Sequence, residues 1–99
     1  MKARPASDAR TVTERLELRI ESALASGADA HMDDLLAEGY AEALKLDAER
    51  LALERHITAL AARADDPATA QELRRAWLRH RTLCRELREL RTLLRKLKS

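Results

Sequence analysis

Residues 73–97 read LRRAWLRHRTLCRELRELRTLLRKL, and one apolar stripe runs through them at alternating steps of three and four residues. This spacing places the stripe on one face of an α-helix, at positions a and d of a heptad repeat. Its members are apolar except for His80, and they are Leu73, Ala76, His80, Leu83, Leu87, Leu90, Leu94 and Leu97. Because such a stripe is stable when another helix covers it, the sequence predicts a helix–helix seam along this segment.

A second stripe with the same spacing lies upstream, between residues 36 and 64. Its a positions hold Leu36, Ala43, Arg50, Ile57 and Ala64, and its d positions hold Gly39, Leu46, Leu53 and Leu60. The two stripes are separated by Asp66 and Pro67, which suit the N-cap and the first position of a new helix. A break this short makes the flanking helices antiparallel neighbours.

Pairing Leu60 with Leu73 fixes the register of this hairpin. The further layers are then Ile57–Ala76, Leu53–His80, Arg50–Leu83, Leu46–Leu87, Ala43–Leu90, Gly39–Leu94 and Leu36–Leu97. Arg50 and His80 fall in adjacent layers, where a carboxylate such as Glu49 or Glu54 is within reach. We interpret these two residues as a polar core layer that fixes the register. A small-anion-sensing helical bundle built around them is an alternative.

The ends of the helices are marked by residues that cap helices. Thr11 and Glu14 form a capping-box pattern, and Gly27 suits the left-handed residue that ends a helix. Asp29 can cap the next helix, whose first turn contains two further aspartates, Asp33 and Asp34. The sequence therefore predicts helices at about 12–26, 30–64 and 67–98, preceded by a disordered arm over residues 1–10.

Composition supports an all-α fold. The chain has 99 residues with only two aromatic residues, two Gly and two Pro, which leaves little material for strands and hairpin turns. We predict a long, coiled-coil-like antiparallel helical hairpin with a short N-terminal helix, forming a single helical domain over residues 11–99. No pattern of a secretory leader or membrane span occurs, so we expect a cytoplasmic protein.

Part of the apolar surface has no partner within this hairpin. Helix 2 carries a second strip at Ala37, Leu44, Ala48 and Leu51, with Tyr40 at its edge, and helix 1 is predicted to fold over its first half. Leu51, Trp77, Leu78 and Leu93 stay uncovered in this arrangement. We therefore expect a homodimer that forms through helices 2 and 3 and builds a bundle with a four-helix core.

Charge is distributed unevenly around a net value of +2. Residues 1–66 carry nine Lys/Arg against fourteen Asp/Glu, and residues 67–99 carry ten against three. We predict a partner-binding face on helix 3, formed by Trp77, Leu78, Arg81, Arg85, Arg88, Arg95 and Lys96. The expected function is a non-enzymatic protein-interaction or regulatory module that binds an acidic protein. Nucleic-acid binding by the same Arg-rich face is the alternative.

We expect no catalytic, cofactor or metal site. The sequence has no Gly-rich phosphate loop and no Glu-x-x-His pair of the kind that builds di-iron bundles. Its single cysteine, Cys84, stands beside the seam and next to Arg85, and we interpret it as a half-buried filler rather than a redox site.

Overall fold

The computed structural model describes residues 11–27 and 32–98, which form three α-helices. These are α1 (Val12–Ser26), α2 (Met32–Ala61) and α3 (Pro67–Lys98). The predicted all-α class is confirmed for these residues, and none of the three helices is both long and apolar enough to span a bilayer. The predicted N-terminal arm and the predicted cap at Asp29 lie outside the described residues.

Both ends of α1 have the predicted capping geometry. The Thr11 hydroxyl accepts a hydrogen bond from the Glu14 amide at 3.0 Å, and the Glu14 carboxylate accepts one from the Thr11 amide at 2.9 Å. At the other end, Gly27 has a φ of 67°, and its N–H donates to the Ala23 carbonyl. The side chains of α1 therefore satisfy amides that the first helical turn would otherwise leave unpaired.

The turn between α2 and α3 begins earlier than the sequence predicted. The structure ends α2 at Ala61 rather than at Ala64, and Arg63 N–H donates to Leu60 O at 3.0 Å in a tighter turn. Pro67 disfavours helical backbone at Asp66, the residue before it, and Asp66 N–H donates to Arg63 O at 3.4 Å within the turn. Asp66 Oδ2 then caps α3 by accepting from the Thr69 amide at 3.1 Å.

The chain divides into two compact units, and the second of these spans Ala43–Glu89. It is an antiparallel hairpin of the C-terminal part of α2 and the N-terminal part of α3. Its core has a cluster formed by Ile57, Leu60 and Ala76, with Leu53 and Leu73 packed against it. This cluster contains all four residues of the predicted Leu60–Leu73 and Ile57–Ala76 layers, and the predicted antiparallel hairpin is confirmed in this unit.

The first unit contains α1, the α2 residues up to Glu42 and the α3 residues from Leu90 onward. Leu16 and Ile20 of α1 are buried here, as is Leu94 of α3. Gly39 lies directly against Leu94, because a Cβ added at position 39 would overlap the Leu94 side chain. The Gly39–Leu94 layer is therefore confirmed.

The predicted position of α1 was wrong. Thr13 donates to Glu42 at 2.7 Å, and Arg19 donates to Glu38 at 2.6 Å, so α1 packs along the Glu38–Glu42 edge of α2. The strip that α1 was expected to cover stays exposed, including Tyr40 at 45%. Both faces of α2 are apolar, so hydrophobic pattern alone does not tell which face receives α1.

The start of α2 buries a residue that the predicted layers did not include. Leu35 is buried, and its neighbour Leu36 is half-buried, so the Leu36–Leu97 layer stays a prediction. The prediction of one helical domain over residues 11–99 stays a prediction.

Candidate interaction surface

Four charged or polar side chains of the hairpin unit form one connected cluster. Arg50 donates to Asp47 Oδ1 at 2.8 Å and to Glu54 Oε2 at 2.8 Å. His80, on the facing helix, places Nε2 2.8 Å from the same Glu54 oxygen. The two polar residues of the seam therefore meet at Glu54, one of the two carboxylates that the register placed within their reach.

This cluster largely neutralises itself. The contact with His80 holds the pKa of the Glu54 carboxyl below its usual range, and the hydrogen bond from Arg50 acts in the same direction. The pKa of Arg50 is raised, first by its hydrogen bond to Asp47 and then by the one to Glu54. A small anion at this position would compete with two carboxylates already bonded to Arg50, so the geometry does not favour an anion-sensing site.

The two edges of the hairpin unit differ in chemistry. One edge is bridged by polar pairs between the helices, with Glu49 3.5 Å from Arg79 and His56 3.3 Å from Glu72. Trp77, which precedes His80 by three residues on α3, places an indole on the other edge. Trp77 is 54% exposed, so this second edge presents apolar surface to solvent.

We define the Trp77 surface by the α3 residues that line an open depression of about 610 Å³ on this edge. The depression is lined by Arg74, Trp77, Leu78, His80, Arg81, Cys84 and Arg88. Leu78 is 61% exposed. The Trp77 and His80 rings meet edge to face, with centroids 5.6 Å apart and an interplanar angle of 83°. An apolar centre and an arginine rim therefore lie together on one helix.

The structure brings together only part of the predicted partner-binding set. Trp77, Leu78, Arg81 and Arg88 line the Trp77 surface, and Arg85 is exposed on the same helix without lining it. The two remaining members of the set, Arg95 and Lys96, belong to the first unit. They line a separate shallow depression with Thr92 and Lys98, where Arg95 donates to Thr92 at 3.2 Å.

Three residues of the Trp77 surface were not in the predicted partner-binding set: Arg74, Cys84, and His80, which was predicted only as part of the polar core layer. Arg74 precedes Trp77 by three residues and Leu78 by four, which places it on the same side of α3. That spacing was a signal in the sequence that could have identified it. Cys84 follows His80 by four residues, and its Sγ lies 3.8 Å from both His80 ring nitrogens. Cys84 is half-buried, as expected for a filler beside the seam.

No group of three or more His, Cys, Asp or Glu residues within 11–27 and 32–98 is arranged to hold a metal ion.

No protein-family model, curated protein or solved structure shows significant similarity to this chain.

Proposed function

We propose that the chain is a non-enzymatic protein-interaction module that binds an acidic amphipathic helix of a partner protein on the Trp77 surface. One observation carries the proposal: Trp77 and Leu78 are 54% and 61% exposed in the middle of an arginine rim. Exposed apolar groups with a polar rim are typical of protein-interaction sites, where Trp and Arg contribute most of the binding energy. We also propose that the protein is located in the cytoplasm.

The charge of the rim selects the partner. Arg74, Arg81 and Arg88 lie on the same side of α3 as Trp77, and their planar guanidinium groups suit paired hydrogen bonds to carboxylates. A partner helix with apolar residues on one face and Glu or Asp beside them would match both parts of this surface. Such a helix would lie in the depression as amphipathic peptides lie in hydrophobic grooves.

A defined peptide pair tests this specificity. The first peptide is a fluorescein-labelled helix of about three heptads, with Leu at a and d and Glu at e and g. The second has Lys in place of Glu. We expect saturable anisotropy change with the acidic peptide, weakening as salt rises, and none with the basic peptide. No saturable binding of the acidic peptide, or equal binding of both peptides, would overturn the proposal.

Two charge-reversal variants show where the peptide binds. Arg81→Glu alters the rim and should weaken acidic-peptide binding about tenfold, equivalent to about 1.4 kcal/mol. Arg75→Glu makes the same charge change on the same helix at an exposed position outside the Trp77 surface, so it is the matched control. Equal losses in both variants would mean that binding reflects net charge rather than this surface.

Nucleic acid is the competing ligand in the same assay. Phosphate contacts give an affinity that falls steeply with salt and depends on summed positive charge. Single-stranded oligonucleotides that bind while the acidic peptide does not, with similar losses in Arg81→Glu and Arg75→Glu, would replace the protein partner by nucleic acid. The single indole of the Trp77 surface gives little area for stacking successive bases, which is why we favour a protein.

A further inference from the structure

Helix α2 is apolar on two opposite faces. Its inner face carries the seam residues, such as Leu46 and Leu60, which are buried. Its outer face carries Ala37, Ala41, Leu44, Ala48 and Leu51, which we call the outer stripe, and all five are exposed. Leu44 is 73% exposed and Leu51 is 42% exposed. A helix that lies at the surface of a protein normally has polar residues on this face.

The outer stripe has the spacing of a helix-packing seam. Its members follow one another at steps of four, three, four and three residues, as do the residues of the inner seam. From Ala41 onward, small and large residues alternate, because Ala41 precedes Leu44 and Ala48 lies between Leu44 and Leu51. Two helices can approach closely when each Leu of one meets an Ala of the other.

We propose that a second copy of this chain covers the outer stripe, with the two α2 helices antiparallel about a two-fold axis. An isologous contact requires a surface that complements itself, and the stripe meets this requirement in one register. Leu44 faces Ala48 of the partner subunit, and Leu51 faces Ala41 of the partner subunit. The two-fold axis repeats both layers, so all four leucines of the dimer meet alanines.

Charge favours this antiparallel register. It brings Arg55, which continues the stripe beyond Leu51, to within one helical turn of Asp34 of the partner subunit. Arg55 and Asp34 are both exposed and opposite in sign. In a parallel pair, Arg55 would face Arg55 of the partner subunit, and Leu44 would face Leu44 of the partner subunit. Like charges and large residues would then oppose each other, which disfavours that arrangement.

The α2 dimer uses a different helix from the Trp77 surface and does not rest on the proposed binding of an acidic partner. Sedimentation equilibrium of the full chain at tens of micromolar tests it. We expect wild type to sediment at twice the 11.2 kDa chain mass and Leu44→Glu at the chain mass. Leu78→Glu places the same charge at an exposed leucine of α3, outside the stripe, and should remain dimeric.

Circular dichroism of both variants checks that they keep their helical content, as expected for substitutions at exposed positions. The proposal is overturned if wild type sediments only as the 11.2 kDa chain. It is also overturned if Leu44→Glu remains dimeric, or if Leu78→Glu dissociates as fully as Leu44→Glu.

Disulfide trapping tests the register in a Cys84→Ser background, which removes the only native cysteine. Leu44→Cys and Ala48→Cys chains are mixed and oxidised. We expect cross-linked product mainly between unlike chains, because position 44 meets position 48 of the partner subunit. Efficient cross-linking of Leu44→Cys with itself, without the mixed product, would overturn the antiparallel register.

Discussion

His80 Nε2 lies 2.8 Å from Glu54 Oε2, and the same oxygen accepts a hydrogen bond from Arg50 Nη1 at 2.8 Å. His80 belongs to α3 and the other two residues to α2, so a single carboxylate oxygen joins the two helices of the hairpin unit. The His80 side chain is only 17% exposed, so this contact lies partly within the seam. Glu54 thereby satisfies both polar residues that interrupt the apolar layers.

Acid should weaken the hairpin unit through Glu54. The pKa of Glu54 in the folded chain is below its ordinary value of 4.5, so its ionised form stabilises folding at pH values above 4.5. This stabilisation is lost as the pH falls through the lowered pKa. Glu54→Gln should therefore have a lower urea midpoint than wild type at neutral pH, and the gap should narrow as the pH falls below 4.5. A gap of the same size at acid pH would show that the ionised carboxylate is not what stabilises this contact.

Gly39→Ala should destabilise the first unit although Ala favours helix. The substitution gains about 1 kcal/mol in helix propensity, but its Cβ would overlap the Leu94 side chain, which is buried at 2% exposure and would have to move within the core. Overpacking costs about 1–3 kcal/mol, so we expect a net loss of about 1 kcal/mol in the free energy of unfolding. Chemical denaturation measures this loss.

Leu94→Ala provides the control for that close contact. The single variant should lose about 2–5 kcal/mol in the free energy of unfolding, because the shortened side chain leaves a cavity. In the double variant the methyl group added at position 39 has room, so the combined loss should be smaller than the sum of the single losses. Strict additivity would contradict a direct contact between positions 39 and 94.

Thr13→Val should weaken the packing of α1. Thr13 is 3% exposed, and its hydroxyl donates to Glu42 Oε2 at 2.7 Å. Valine keeps the shape but removes the donor, which leaves the carboxylate without that partner and costs about 1–2 kcal/mol. Glu42→Gln keeps an acceptor for the Thr13 hydroxyl and should therefore lose less stability than Thr13→Val. Unchanged urea midpoints in Thr13→Val would show that this bond does not hold α1 in place.

Asp66→Ala should destabilise α3 by about 1 kcal/mol, the usual cost of losing an N-cap. The Asp66 carboxylate accepts from both the amide and the hydroxyl of Thr69, at 3.1 and 2.9 Å. Asp65→Ala removes the same charge one residue earlier in the turn and should change thermal stability much less. Equal decreases in melting temperature would attribute the effect to charge rather than to capping.

Most of the fold could be predicted from the sequence, because it depends on interactions between residues that are close in the chain. The capping box at Thr11, the left-handed Gly27 and the Asp66–Pro67 pair each act over three or four residues, so their effects follow from neighbours in the chain. The layers around Leu60 and Ala76 were also predictable, because a short turn leaves few registers open. These features require no knowledge of distant contacts.

The position of α1 could not be read in this way. It depends on polar contacts between residues far apart in sequence, Thr13 with Glu42 and Arg19 with Glu38, which follow no periodic pattern. The Trp77 surface was only partly predicted, because the predicted partner-binding face extended along α3 as far as Arg95 and Lys96. In the structure, Arg74, Arg81 and Arg88 line the same depression as Trp77, whereas Arg95 lines a separate one.

The emission of Trp77 during titration with the acidic helical peptide tests the proposed function most directly. Trp77 is the only tryptophan in the chain and is 54% exposed, so its emission responds when water leaves its ring. We predict a saturable shift to shorter wavelength that tracks the anisotropy of the labelled peptide and is weakened in Arg81→Glu but not in Arg75→Glu. Unchanged Trp77 emission while the peptide binds would contradict the proposal, because the partner would then lie elsewhere on the chain.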